Sequence, residues 1–122
     1  MYRISKIIFS LLGWRTIGDN DFPKKCVLIA VPHTSNWDFF YARLYSYIVK
    51  IQPKYLAKKE LFVPFISYLI KLNGGIPVDR SKKNKLVDFL SKKIIDSKTI
   101  ILSLSPEGTR KKVDKWKTGF II

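Results

Sequence analysis

The stretch CVLIAVPHTSNWDFFYARLYSYI (residues 26–48) decides the architecture. Residues 26–31 form a short apolar run, rich in β-branched side chains, that reads as a strand. Pro32 ends the run, and Ser35 and Asn36 are residue types that cap helices. Trp37, Phe40, Tyr41, Leu44 and Ile48 then recur at helical spacing. A strand that feeds a helix through a polar loop is the first half of a βαβ unit.

Outward from this stretch the alternation continues. Further β-like runs stand at KYLAK (residues 54–58), GIPV (residues 75–78) and TIILSL (residues 99–104). A helix is predicted from about Leu61 to Leu72, with Pro64 in its first turn and Gly74 and Gly75 ending it. Another is predicted from about Lys83 to Ser97, where Leu86, Leu90 and Ile94 form a stripe. The fold class is therefore α/β: a largely parallel sheet with flanking helices and right-handed crossovers. Residues 1–18 read as an amphipathic N-terminal helix, and residues 19–122 as the α/β domain. On that helix Ile4, Ile7, Ile8, Leu11 and Leu12 share one face, flanked by Arg3, Lys6 and Arg15. Such a face either anchors to a membrane surface or packs on the sheet.

Composition narrows the function. A chain of 122 residues holds one core. Lys and Arg number 23 against 9 Asp and Glu, a net charge of +14, which favours an anionic partner: nucleic acid, anionic lipid or a phosphorylated substrate. Cys26 is the only cysteine and His33 the only histidine, which excludes an intrachain disulfide and argues against a zinc site. No metal or cofactor is expected. No apolar stretch approaches the ~20 residues of a membrane-spanning helix. Walker-type phosphate loops are absent, and no helix-turn-helix, zinc-finger or RNA-recognition signature appears.

Ligands of parallel α/β sheets bind beyond the carboxyl ends of the strands. Three polar clusters stand at such ends: PHTSNWD (residues 32–38), VDRS (residues 78–81) and SPEGTR (residues 105–110). In the first, a strand-to-helix turn can bring Asp38 to one imidazole nitrogen of His33, so that the other nitrogen becomes a positioned base. In the second, Arg80 suits a phosphate through its bidentate fork. In the third, turn amides, the Thr109 hydroxyl and the Arg110 guanidinium suit the same ligand. Each cluster alone could be an ordinary solvated turn. Their convergence on one edge is the stronger observation.

His33 and Asp38, then GIPVDR (residues 75–80), then PEGTR (residues 106–110), in this order and at these separations, resemble the glycerolipid acyltransferase family. AKKEL (residues 57–61) and WKTGF (residues 116–120) resemble further segments of it, and the likeness covers nearly the whole chain. The resemblance implies acyl transfer from acyl-CoA or acyl carrier protein to a hydroxyl of a glycerol phosphate or lysophospholipid. His33 would be the general base and Asp38 its partner. Arg80, Glu107, Gly108, Thr109 and Arg110 would hold the phosphate region of the acceptor. It also implies a peripheral protein on an anionic membrane, at the cytoplasmic face of the cell membrane, with no nucleic acid as partner. Family members usually continue with a further strand and a fourth, proline-containing motif, so an incomplete domain with part of its pocket missing is expected. The competing readings are a basic nucleic-acid-binding module and a non-catalytic lipid-binding remnant.

Overall fold

The structure is a computed structural model that describes residues 1–79 and 81–116. The chain runs α1 (Tyr2–Leu11), β1 (Lys25–Ile29), α2 (Trp37–Ile48), β2 (Lys54–Lys58), a 3₁₀ turn (Lys59–Leu61), α3 (Ile66–Leu72), β3 (Gly75–Val78), α4 (Lys83–Asp96) and β4 (Ile100–Leu104). All the strand pairs are parallel and the sheet order is β1-β4-β2-β3. The α/β class with a parallel sheet and an N-terminal helix is as read from the sequence. β2 and β3 begin and end where expected, whereas β1 stops at Ile29, short of Val31.

The main core lies between the sheet and α4. Ile76, Val78, Leu90 and Leu102 are buried together, with Leu56, Leu86, Ile94 and Leu104 packed against them. The whole predicted stripe of α4 thus faces the sheet. Each such side chain contributes about 1.5–3 kcal/mol when fully buried. Leu102, at 1% exposure on a central strand, is the most deeply buried. On the other face Phe39 of α2 meets Tyr55 of β2 edge-on, with ring centroids 4.9 Å apart. There α3 presses on Gly75, where an added Cβ would run into the Ile70 side chain and lie 2.9 Å from its carbonyl oxygen. Only glycine lets β3 start this close to the helix before it.

Two helices differ from the sequence reading. α1 ends at Leu11, not near residue 18. Gly13, at φ 73, closes it: the Trp14 N–H donates to the Phe9 carbonyl at 2.9 Å and the Gly13 N–H to Ser10 at 3.1 Å. The face turned inward is also a neighbouring one. Phe9 and Ser5 are buried, Phe9 against Leu44 and Ile48 of α2, while Ile4, Ile7, Leu11 and Leu12 are exposed. Of the predicted face only Ile8 joins the contact. α1 therefore packs by one edge of its apolar face, through Ile8 and Phe9 beside the buried Ser5, and leaves the rest of that face outward. The helix predicted from Leu61 starts instead at Ile66. Pro64 and Phe65, the latter at φ 68, separate it from the 3₁₀ turn. Proline lacks the N–H that a continuous helix would need there.

Candidate active site

Because all strands are parallel, the loops after β1, β3 and β4 leave the sheet at one edge. β1 and β4 are neighbours, with Lys25 opposite Ile100 and Ile29 opposite Leu104. The Ala30 N–H donates to the Leu104 carbonyl at 2.9 Å, the last backbone tie between the two chains. Neither Pro32 nor Pro106 has an N–H to extend the ladder. Both chains then turn out over the edge.

His33 and Asp38 meet as the spacing predicts. His33 Nδ1 lies 3.3 Å from Asp38 Oδ2, both side chains being about one-third exposed. The same oxygen accepts the Thr34 N–H at 2.6 Å, the Ser35 N–H at 2.8 Å and the Thr34 hydroxyl at 3.5 Å. The Ser35 N–H, with that of Thr34 and the nearby His33, holds the Asp38 carboxyl below the usual carboxylate range against the opposing cost of desolvation. Ser35 also supplies the helix cap: its hydroxyl accepts the Trp37 N–H at 3.2 Å, whereas Asn36 makes no side-chain cap bond. One short loop thus starts α2 and orients the imidazole. An Nδ1–H turned toward Asp38 would leave Nε2 free to accept a proton.

The third cluster reaches the first. The Glu107 carboxylate accepts the His33 backbone N–H at 2.8 Å, across 74 residues of sequence. Glu107 is held in a turn in which the Gly108 N–H donates to the Ser105 carbonyl at 3.1 Å, with Gly108 at φ 62. Thr109 Oγ1 accepts the Lys111 N–H at 3.3 Å, and Arg110 is exposed. The Ser105 hydroxyl is buried with no hydrogen-bond partner among the described residues. Neither Glu107's grip on the His33 amide nor the Ser105 hydroxyl was predicted. Only the adjacency of β1 and β4 creates that neighbourhood, and no local spacing signals it.

The second cluster stands farther off. β3 is three strand positions from β1, or about 14 Å at the usual spacing of strands. Asp79, just past β3, accepts the N–H of Ser81 at 3.0 Å and its hydroxyl at 2.5 Å, and this hydroxyl is the main cause of a lowered Asp79 carboxyl pKa. Arg80 lies outside the described residues, as do residues 117–120 of WKTGF. Among the described residues no group of three or more His, Cys, Asp and Glu gathers as metal ligands.

A model of the Acyltransferase family matches residues 14–121. The chain belongs to the acyltransferase family. It is 30% identical over 112 residues to a 1-acyl-sn-glycerol-3-phosphate acyltransferase of Saccharomyces cerevisiae, an alignment that covers 89% of this chain and 36% of that protein. The chain therefore spans about a third of the length of this curated relative. No solved structure matches it. The family agrees with the resemblance of the three motifs.

Proposed function

We propose that this acyltransferase moves a fatty acyl group from a thioester, acyl-CoA or acyl carrier protein, to a hydroxyl of a glycerol phosphate or lysophospholipid in phospholipid biosynthesis. The observation that carries the reading is the 3.3 Å approach of Asp38 to His33 Nδ1. It leaves Nε2 to take the acceptor's hydroxyl proton as that oxygen attacks the thioester carbonyl carbon. The carbon–sulfur bond then breaks, and the same proton passes to the leaving thiolate. A positioned base of this kind contributes on the order of 10²–10⁴ in rate. The acceptor is the finer part of the proposal, and the name of the yeast relative favours a monoacylglycerol phosphate. Arg80 and Arg110, with Gly108 and Thr109, take its phosphate-bearing side.

The proposed site of the reaction is an anionic membrane surface, at the cytoplasmic face, reached by peripheral attachment. Ile4, Ile7 and Leu11 are exposed on one side of α1, and Lys6 and Lys50 both lie over the Tyr2 ring, at 5.3 and 5.4 Å. Apolar side chains beside cations suit an interfacial helix. No helix among the described residues is long and apolar enough to cross a membrane.

The test is an assay of the purified chain with acyl-CoA and acyl carrier protein donors against glycerol-3-phosphate and a panel of lysophospholipids. Transfer to a phosphorylated acceptor that is lost in His33→Ala is expected. Turnover indifferent to His33→Ala, or none with any pair, would overturn the assignment.

A further inference from the structure

We propose that Glu107 is a positioning residue for His33, acting through the backbone of the His33 loop rather than on the phosphorylated acceptor. The inference rests on His33 being the general base. Beyond Ala30 and Leu104, where backbone pairing of β1 and β4 ends, each chain advances three residues, to His33 and to Glu107. There the Glu107 carboxylate accepts the His33 N–H at 2.8 Å and restores the tie that Pro32 and Pro106 cannot make. His33 is thus held at both ends: its backbone by Glu107 from the β4 side, its imidazole by Asp38 from α2, 3.3 Å away.

The consecutive N–H groups of His33, Thr34 and Ser35 all donate to carboxylates, the first to Glu107 and the others to Asp38. These donors are therefore committed to the loop itself and do not serve as a phosphate cradle. A carboxylate beside that row also repels a phosphate, by the same like-charge effect that separates neighbouring carboxylates. Phosphate recognition then falls to the cationic side chains, Arg110 on the same loop and Arg80. Carboxylate-to-amide bonds are among the shorter and stronger hydrogen bonds of proteins. Displacing a catalytic group by ~1 Å costs on the order of 10²-fold in rate, so loosening this tie is expected to appear in turnover.

The experiment compares Glu107→Gln and Glu107→Ala with the wild type, using the whole chain. Gln keeps an acceptor oxygen in place; Ala removes it. For transfer to a phosphorylated acceptor, Glu107→Ala is expected to lower kcat on the order of 10²-fold with KM within about twofold, and Glu107→Gln to restore most of that loss. NMR of the wild type should give a scalar coupling across the hydrogen bond from the His33 amide nitrogen to the Glu107 side-chain carboxyl carbon. This readout needs neither activity nor a folded variant. A rise in KM for the phosphorylated acceptor with kcat unchanged would show Glu107 to be an acceptor ligand and overturn the proposal. So would Glu107→Gln being as slow as Glu107→Ala, or the absence of the coupling. If the wild type transfers to no acceptor while the coupling is present, the base reading of His33 fails and the tie stands.

Discussion

The edge of the sheet around His33 and the outer side of α1 are built on opposite terms. At the edge every described N–H from His33 to Ser35 has a carboxylate acceptor, and one oxygen of Asp38 serves the Thr34 and Ser35 amides and faces the imidazole. On the outer side of α1, Ile4, Ile7 and Leu11 have exposures of 54%, 60% and 81%, and the helix is fastened to the molecule from its other side through Phe9. The edge spends its polar groups on internal geometry, as a site that must hold one atom in place does. The helix leaves apolar area exposed to solvent. The two regions are expected to fail separately.

The largest separation should come from His33→Ala. Transfer is expected to fall by on the order of 10²–10⁴, while binding to anionic vesicles in a flotation assay stays at the wild-type level. A parallel drop in vesicle binding would show that the two regions are one surface.

Asp38→Ala comes next, because it leaves the Thr34 and Ser35 amides and His33 Nδ1 without their acceptor. A loss of kcat on the order of 10²-fold is expected, again with vesicle binding intact. The pH dependence sharpens the point. The folded Asp38 carboxyl titrates below its unfolded value of ~3.9, so its contribution to loop order is present above that value. It is lost only as pH falls through the lower folded value. The amide resonances of Thr34 and Ser35 should therefore hold steady through pH 5 and move only below the usual carboxylate range. Movement nearer neutrality would mean that the carboxylate does not hold the loop.

For α1, replacing Ile4, Ile7 and Leu11 together by serine is expected to weaken vesicle binding by about tenfold or more, since each fully buried apolar side chain contributes up to ~1.5–3 kcal/mol. Turnover of a water-soluble acceptor should not change. A triple variant that binds vesicles normally would remove α1 as the attachment. The smallest effect is expected from Ile95→Ser on α4, also exposed, at 72%. It stands on the solvent side of a helix whose apolar stripe is already packed, so stability within about 0.5 kcal/mol of the wild type and unchanged vesicle binding are expected. If Ile95→Ser matters as much as the α1 substitutions, exposure alone and not the α1 face governs attachment.

What the sequence by itself determined is whatever depends on neighbours along the chain. Strand and helix periods are local, and so the alternation, the parallel sheet and the α4 stripe of Leu86, Leu90 and Ile94 were legible. The His33–Asp38 contact was legible for the same reason, because one strand-to-helix turn contains both residues. Tertiary structure decided the rest. The order β1-β4-β2-β3 set Glu107 on the His33 amide and left the loop after β3 strands away. Pairing between distant strands is chosen by global packing, and no spacing within either segment encodes it. The inward side of α1 was likewise settled only by contact with Leu44 and Ile48 of α2. Which edge of a helix's apolar face turns inward is fixed only when a partner packs on it.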